Sequence, residues 1–221
     1  MIKLCPFTIA ICLSLFTFQA LGQVETLLDV SVPGAPLIAN AYPEVKGDPY
    51  MGNFTQGAIL VSKKDTISNI AIRFNLFGNM LEVNRLGELM GYSGKNILGF
   101  IIEPSGSKEI YKSGFDLPKL GKGTFAQVLT EGEYTLLKYK SKYISDDPSA
   151  AYGSQKSKAF QSKMEFFIAH KETVIPFKTK RKQLIDAFGD DTPKVLDLIG
   201  KMNLDLRDEE DMVKLIRSLN N

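Results

Sequence analysis

The chain has 221 residues, a formal net charge of +2, 44% hydrophobic residues and 24% charged residues. These proportions are ordinary for a globular protein, and the small net charge gives no overall attraction to nucleic acid or to an anionic membrane. The charge is unevenly distributed, because residues 138–182 carry 11 Lys and Arg against 4 Asp and Glu, whereas residues 183–221 carry 5 against 9. The composition therefore argues against nucleic acid as a partner.

The first 22 residues are typical of a secretory signal peptide. Lys3 supplies the positive start, residues 4–18 form an apolar run, and Ala20 and Gly22 are the small residues that a signal peptidase reads. The apolar run is shorter than the roughly 20 residues that a transmembrane anchor needs. We therefore expect cleavage before Gln23 and an exported product, periplasmic or extracellular, with no transmembrane segment in the mature chain.

Both cysteines, Cys5 and Cys12, lie within this predicted signal peptide. A mature exported chain without cysteine indicates a bacterial rather than an animal or plant protein, because small exported domains of the latter usually carry disulfides. It also excludes a cysteine nucleophile and thiolate metal binding.

His170 is the only histidine, and zinc and most iron sites need at least two His or Cys ligands. We expect His170 to be solvated in a turn rather than to act as a catalytic base. The aspartate clusters lack the ligand spacing of a calcium loop, and residues 121–124 lack the glycine spacing of a phosphate-binding loop. We therefore predict no catalytic residue, no cofactor and no metal ligand.

Residues 23–56 contain four prolines, which forbid a long helix and predict an extended N-terminal arm. From residue 57 the apolar residues recur with period two, and short turn sequences separate the runs. The pattern predicts about nine short strands, at residues 57–62, 66–74, 80–83, 97–102, 109–111, 125–130, 134–139, 163–169 and 174–177. Residues 145–157 are polar and are predicted as a surface loop.

After Pro176 the apolar spacing becomes that of helices. A first helix is predicted over residues 180–188, ended by Gly189 in a left-handed conformation. Thr192 is expected to cap a second helix, with Pro193 at its first position, and Asp208 is expected to cap a third that runs to Leu219.

These elements predict an α+β protein with a mainly antiparallel β body, a meander, roll or barrel-like arrangement, followed by two or three short C-terminal helices. Such short helices are unstable alone in water, so we expect them to pack on the sheet. The predicted division is a signal peptide (1–22), an extended arm (23–56), an antiparallel β domain (57–177) and a helical tail (178–221).

Several short motifs occur in a characteristic order: Gly47-Asp48-Pro49-Tyr50, the hairpin 125–140, the loop sequence Tyr152-Gly153-Ser154, and the ending Leu219-Asn220-Asn221. In these features the chain resembles a family of exported proteins of the Gram-negative bacterial envelope. The resemblance implies export, a β-rich body and a C-terminal helical tail over nearly the whole mature chain. That family has no established activity, so the resemblance implies no site residue.

The most unusual local feature is a basic segment, defined by Lys178, Lys180, Arg181 and Lys182, at the start of the first predicted helix. Positive charge at this end opposes the helix dipole and costs about 0.3–1 kcal/mol per residue. Either the helix begins later, or an acidic group meets these side chains. The acidic tail would be an internal partner, whereas an anionic surface of lipid or acidic polysaccharide would be an external one. We predict these four residues as contacts for an anionic partner.

Paired carboxylates are the one catalytic chemistry that the composition leaves open. Six glutamates lie on or near predicted strands and are expected to face outward rather than to be catalytic: Glu82, Glu103, Glu109, Glu131, Glu133 and Glu165.

The sequence thus favours a non-enzymatic, exported binding or interaction module of the bacterial cell envelope. Its partner would be another envelope protein or an anionic surface. Two alternatives stay open. One is an envelope hydrolase that uses carboxylates only, as glycosidases do, and the other is a structural subunit with a self-complementary apolar patch.

Overall fold

The computed structural model of the protein describes residues 34–37, 41–85, 87–103, 106–149, 157–178 and 180–221. The predicted signal peptide with both cysteines, residues 23–33 of the arm and the Tyr152-Gly153-Ser154 motif lie outside these residues. Within the described ranges, no helix has the length and apolar character needed to cross a membrane.

One open sheet of twelve strands forms the body of the described protein. Its strands are β1 (Ala35–Pro36), β2 (Val45–Lys46), β3 (Thr55–Leu60), β4 (Thr66–Asn75), β5 (Met80–Arg85), β6 (Glu88–Tyr92), β7 (Gly99–Ile102), β8 (Glu109–Lys112), β9 (Ala126–Thr130), β10 (Tyr134–Asp146), β11 (Lys158–His170) and β12 (Thr173–Phe177).

The sheet consists of two antiparallel meanders, β3–β6 and β7–β12, joined where β3 pairs with β7. β1 pairs with the outer side of β6, and β2 runs parallel to the start of β11. The end strands β1 and β12 contain Pro36 and Pro176, which lack the N–H that a further strand would use. The body is therefore an antiparallel meander, as predicted, but the barrel-like alternative is wrong because the sheet is open.

Twelve strands are present rather than the predicted nine, because the sequences of β1, β2 and β6 show little of the apolar alternation that predicts a strand. β1 and β2 have two residues each and exist only where they dock on β6 and β11. β6 contains Gly91, which weakens the strand signal, and a Cβ atom there would lie 2.3 Å from the Met80 sulfur, so the Met80 side chain would have to move. β10 and β11 are also longer than predicted, at 13 residues each, because they pair with each other through polar extensions.

Three α-helices follow the sheet: α1 (Arg181–Phe188), α2 (Thr192–Met202) and α3 (Glu209–Leu219). The Asp208 cap is confirmed, since its Oδ1 accepts from the Glu210 N–H at 2.7 Å and its side chain also accepts from Asp211. Gly189 follows the helix with a positive φ of 52°, but its ψ of −122° lies outside the left-handed region, so the predicted conformation is wrong. Gly189 instead opens a short 3-10 turn that the sequence did not predict. Thr192 does not cap α2 with its side chain, because its hydroxyl donates back to the Gly189 carbonyl.

The buried side chains form three clusters that follow this layout. The first lies among β3–β8 and is rich in aromatic rings, with Phe74, Phe100, Tyr111 and Phe125 in mutual contact. The second lies between β9–β12 and the helices, which contribute residues such as Val195 and Leu215. The third covers the opposite face of β9–β12. The helices therefore pack on one face of the second meander.

Candidate functional site

The basic segment lies at the junction of β12 and α1. Lys178 follows the last residue of β12, Lys180 precedes α1, and Arg181 is the first residue of the helix, although its side chain lies outside the described part. Lys178, Lys180 and Lys182 are exposed. Among the described residues, none of these three lysines has an ion-pair partner.

Two arrangements would reduce the cost of the positive charge at the helix start: a later start of the helix, or an acidic partner from the tail. Neither occurs in the described part of the chain. The helix does not begin later, because the Lys180 carbonyl already accepts from the N–H groups of Gln183 and Leu184 at 2.8 and 3.1 Å. The first turn of α1 contains no acidic residue. Acids of the tail pair with other cations instead, as in Lys138–Glu209, Lys201–Asp197, Arg207–Asp205 and Lys214–Asp211.

The open edge, defined here as residues 160–165 of β11, lies beside this segment. β11 pairs with β10 along its whole length. On its other side it pairs with β2 only at residues 158–159 and with β12 only at residues 166–170. No described residue pairs with the backbone between these two partners, and Ser162, Lys163 and Met164 are exposed there, Met164 to 55%.

Lys178 lies at one end of the open edge. Phe177 of β12 is paired with Phe166 of β11, so the chain reaches the edge as it leaves β12. Lys178, the first residue of the basic segment, therefore lies next to the unpaired backbone of β11.

His170 lies in a second place of interest, a cavity of about 350 Å³ at the end of the β11–β12 hairpin. It is the last residue of β11, and its ring lies 4.3 Å from the Tyr134 ring. Its side chain is 24% exposed, so the expected solvated turn position is wrong. His170 Nε2 lies 3.4 Å from a carboxylate oxygen of Glu133, and it is buried without a hydrogen bond in the described structure.

Tyr134 donates its hydroxyl to Asp191 Oδ2 at 2.5 Å. Burial, followed by this hydrogen bond, raises the pKa of Tyr134 above its usual value, so the phenol stays protonated and acts as a donor. This hydrogen bond links the 3-10 turn to β10. No described hydrogen bond joins His170 to a hydroxyl group. The described residues of this cavity therefore include no hydroxyl nucleophile that is paired with a histidine base.

Glu82 does not face outward as expected, since it is only 2% exposed. Its carboxylate accepts from Arg73 Nη2 at 2.7 Å and from Asn75 Nδ2 at 3.0 Å. The guanidinium of Arg73 in turn lies 3.4 Å from the centre of the Tyr50 ring. The sequence contained a signal for this pair, because a hairpin that turns at residues 77–79 places position 73 opposite position 82.

Glu109 is also partly buried and accepts from Lys140 Nζ and the Tyr111 hydroxyl, at 2.8 and 2.7 Å. Within the described ranges, no group of three His, Cys, Asp or Glu side chains is placed to hold a metal ion. These carboxylates therefore stabilise strand packing rather than line an open cleft.

Comparison with known proteins adds no further constraint. No family model, no curated protein and no solved structure matches the chain.

Proposed function

We propose that this chain is an exported, non-enzymatic binding module of the bacterial cell envelope, and that its basic segment contacts an acidic region of another envelope protein. The observation that carries the proposal is the position of Lys178, Lys180 and Lys182, which are exposed and have no ion-pair partner in the described structure.

No described side-chain hydrogen bond or ion pair gives these lysines a stabilising role. They lie at the positive end of the α1 dipole, where each positive charge costs about 0.3–1 kcal/mol. An acidic partner would reverse this cost, because it would supply the negative charge that the helix start lacks.

The state of the polar side chains supports a binding role over catalysis. Tyr134 and Asp191 bond to each other, Glu82 is neutralised by Arg73, and Glu109 is neutralised by Lys140. Each of these groups already has a structural partner, whereas a catalytic acid or base needs access to a substrate.

Removal of the three lysine charges tests the proposal. The probe is a peptide with glutamate pairs at both ends of a six-residue Thr-Val repeat, and its binding to the purified protein is measured by calorimetry at low salt. The variant Lys178→Ser/Lys180→Ser/Lys182→Ser should bind at least about tenfold more weakly, with a melting temperature equal to or higher than that of the parent, because these charges oppose the helix dipole.

The matched control carries the same change of charge at another exposed place, Lys63→Ser/Lys64→Ser/Lys95→Ser. It should bind the peptide as the parent protein does. Equal losses in the two variants would contradict the proposal. A melting temperature several degrees lower in the first variant, with unchanged binding, would instead make the basic segment an internal brace.

A carboxylate-only hydrolase is the second candidate. The observation that favours it is a cavity of about 580 Å³ whose lining includes Asp116, Glu133 and Glu172. Turnover of a polysaccharide by the purified protein, lost in Glu133→Gln or Glu172→Gln, would establish this activity and overturn the non-enzymatic proposal.

A further inference from the structure

We propose that the acidic partner binds as an extended strand, which adds to the open edge of β11 between β2 and β12. This inference rests on the proposed function, because it states how the partner of the basic segment is held.

The hydrogen-bonding groups of the open edge point away from β10. The two-residue turn Lys171-Glu172 closes on the pair His170 and Thr173, and the closing pair of such a hairpin exchanges both backbone hydrogen bonds. His170 therefore directs its N–H and C=O toward β12. The register of β11 is uninterrupted, and residues an even number of positions apart in a strand direct their backbone groups to the same side. Ser162 and Met164 therefore direct their N–H and C=O groups to the same side as His170 does.

No described residue occupies that side of Ser162 or Met164. Ser162 and Met164 are exposed, and no described residue pairs with the donor and the acceptor that each of them presents on this side. An added strand is the arrangement that satisfies both at once.

The flanking strands set the length of the added segment. β2 ends its pairing at Ala159 and β12 begins its pairing at Phe166. The six positions between them span about 20 Å at the usual rise of a strand. A partner segment of about six extended residues therefore fits.

The open edge is held in place before any partner arrives. β10 pairs with all 13 residues of β11, and the Phe160 ring packs edge-on against Tyr42 and Phe77. A rigid edge reduces the entropy that a partner must lose on binding.

The chemistry of the surface selects the partner segment. Met164 is 55% exposed and offers an apolar contact to a β-branched side chain of the added strand. Lys178 lies where the added strand would end, and Lys180 and Lys182 follow it in the chain. The fitting partner is thus an extended β-forming segment flanked by acidic residues.

A second copy of this chain fits less well. Its own edge segment, residues 160–165, contains one cation and one anion, Lys163 and Glu165, which pair with each other at 2.7 Å. A second copy therefore does not bring the acidic ends that the lysines of the basic segment need.

Amide hydrogen exchange of the free protein is the first test. The N–H groups of Ser162 and Met164 should exchange rapidly, whereas that of Lys163, which faces β10, should be protected and serves as the internal control. Protection of Ser162 and Met164 in the free monomer would mean that another segment of the chain already occupies the edge. Protection that appears only as concentration rises would mean that a second copy does. Either result overturns the inference.

The second test uses the same acidic Thr-Val peptide in two N-methylated forms, one methylated on alternate residues and the other on all six. Alternate residues of a strand point their N–H groups to opposite sides, so the first form keeps a full row of donors for β11 and the second form keeps none. We expect the two affinities to differ at least about tenfold. The unmodified peptide should protect Ser162 and Met164 from exchange. Equal affinities of the two forms, or no new protection, would overturn strand addition.

These outcomes are distinguishable from failure of the proposed function. If the lysine variant loses binding but the two methylated peptides bind equally, the basic segment binds an acidic partner and strand addition is wrong. If the lysine variant binds as the parent does while the methylated forms differ, strand addition holds and the basic segment is not the contact.

Discussion

Glu82 and Arg73 form a charged pair within the β4–β5 hairpin. The Glu82 side chain is 3% exposed and that of Arg73 is 19% exposed, and the two are directly opposite each other in the register. The Arg73 guanidinium also lies over the rings of Tyr50 and Phe54, at 3.4 and 4.4 Å. The pair thereby joins the hairpin to the segment that precedes β3.

Removal of one partner should be more harmful than removal of both. Glu82→Ala leaves the Arg73 charge without its carboxylate, and we expect it to reduce the free energy of unfolding by about 3–5 kcal/mol. Arg73→Met/Glu82→Leu removes both charges and should cost clearly less. Urea unfolding measures both values.

Glu88→Ala is the control, because Glu88 lies in the same meander but is exposed. It should change the free energy of unfolding by less than about 0.5 kcal/mol. If Glu82→Ala were equally mild, the pair would contribute nothing to the fold.

At the scale of elements, the end of α3 is joined to the β9–β10 turn by one side chain. Asn220 follows α3, and its Oδ1 accepts from the Tyr134 N–H while its Nδ2 donates to the Tyr134 carbonyl, both at 2.8 Å. Gly132 makes room for it, because a Cβ atom at that position would lie 2.4 Å from Asn220 Nδ2. The helix and the turn therefore fit only with these two residue types.

Asn220→Ala should destabilise the protein by about 1–3 kcal/mol, since it leaves two backbone groups of Tyr134 without partners. Thermal and urea unfolding measure the change. Asn221→Ala, at the exposed neighbouring position, should have almost no effect. Similar stability of the two variants would show that Asn220 does not hold the helix to the sheet.

At the scale of the whole molecule, the N-terminal arm closes over the far end of β10 and β11. Lys46 of β2 bonds to Asp147 at 3.0 Å and to Ser149 at 2.8 Å, and the Pro49 carbonyl accepts from the Leu76 N–H. The two contacts of Lys46 join residues about 100 positions apart. Residues 45–49 of the arm are therefore part of the folded unit.

Acid should weaken this closure. Hydrogen bonds from the Ser149 hydroxyl and N–H, together with Lys46, lower the pKa of Asp147 to about 2 from its usual 3.8. A lowered pKa in the folded state contributes stability above the unfolded pKa, and this contribution is lost as the pH falls toward the folded value.

The free energy of unfolding should therefore decrease between about pH 4 and pH 2, and Asp147→Asn should make that decrease smaller. Urea unfolding at several pH values measures the slope. Asp186→Asn is the control, because Asp186 is exposed and its carboxylate accepts no hydrogen bond from a described group. A slope as steep in Asp147→Asn as in the parent would refute the role of Asp147.

Much of the fold could be read from local patterns in the chain. Strands such as β4 and β9 alternate with period two and are bounded by turn residues, and the apolar stripe of α3 recurs at helical spacing behind the Asp208 cap. The basic segment was also visible, because four cations in five residues at a helix start is a local feature.

The remaining features depend on segments that are distant in the sequence. β2 forms only because it meets β11, Glu82 is buried only because Arg73 and Asn75 cover it, and the edge of β11 is open only because β2 and β12 stop short of each other. The local preference of a sequence for strand structure is nearly the same whether the residue or strand is covered by another part of the fold or exposed to solvent. Its surroundings are decided by packing and pairing across the fold, so the open edge beside the basic segment could be recognised only in three dimensions.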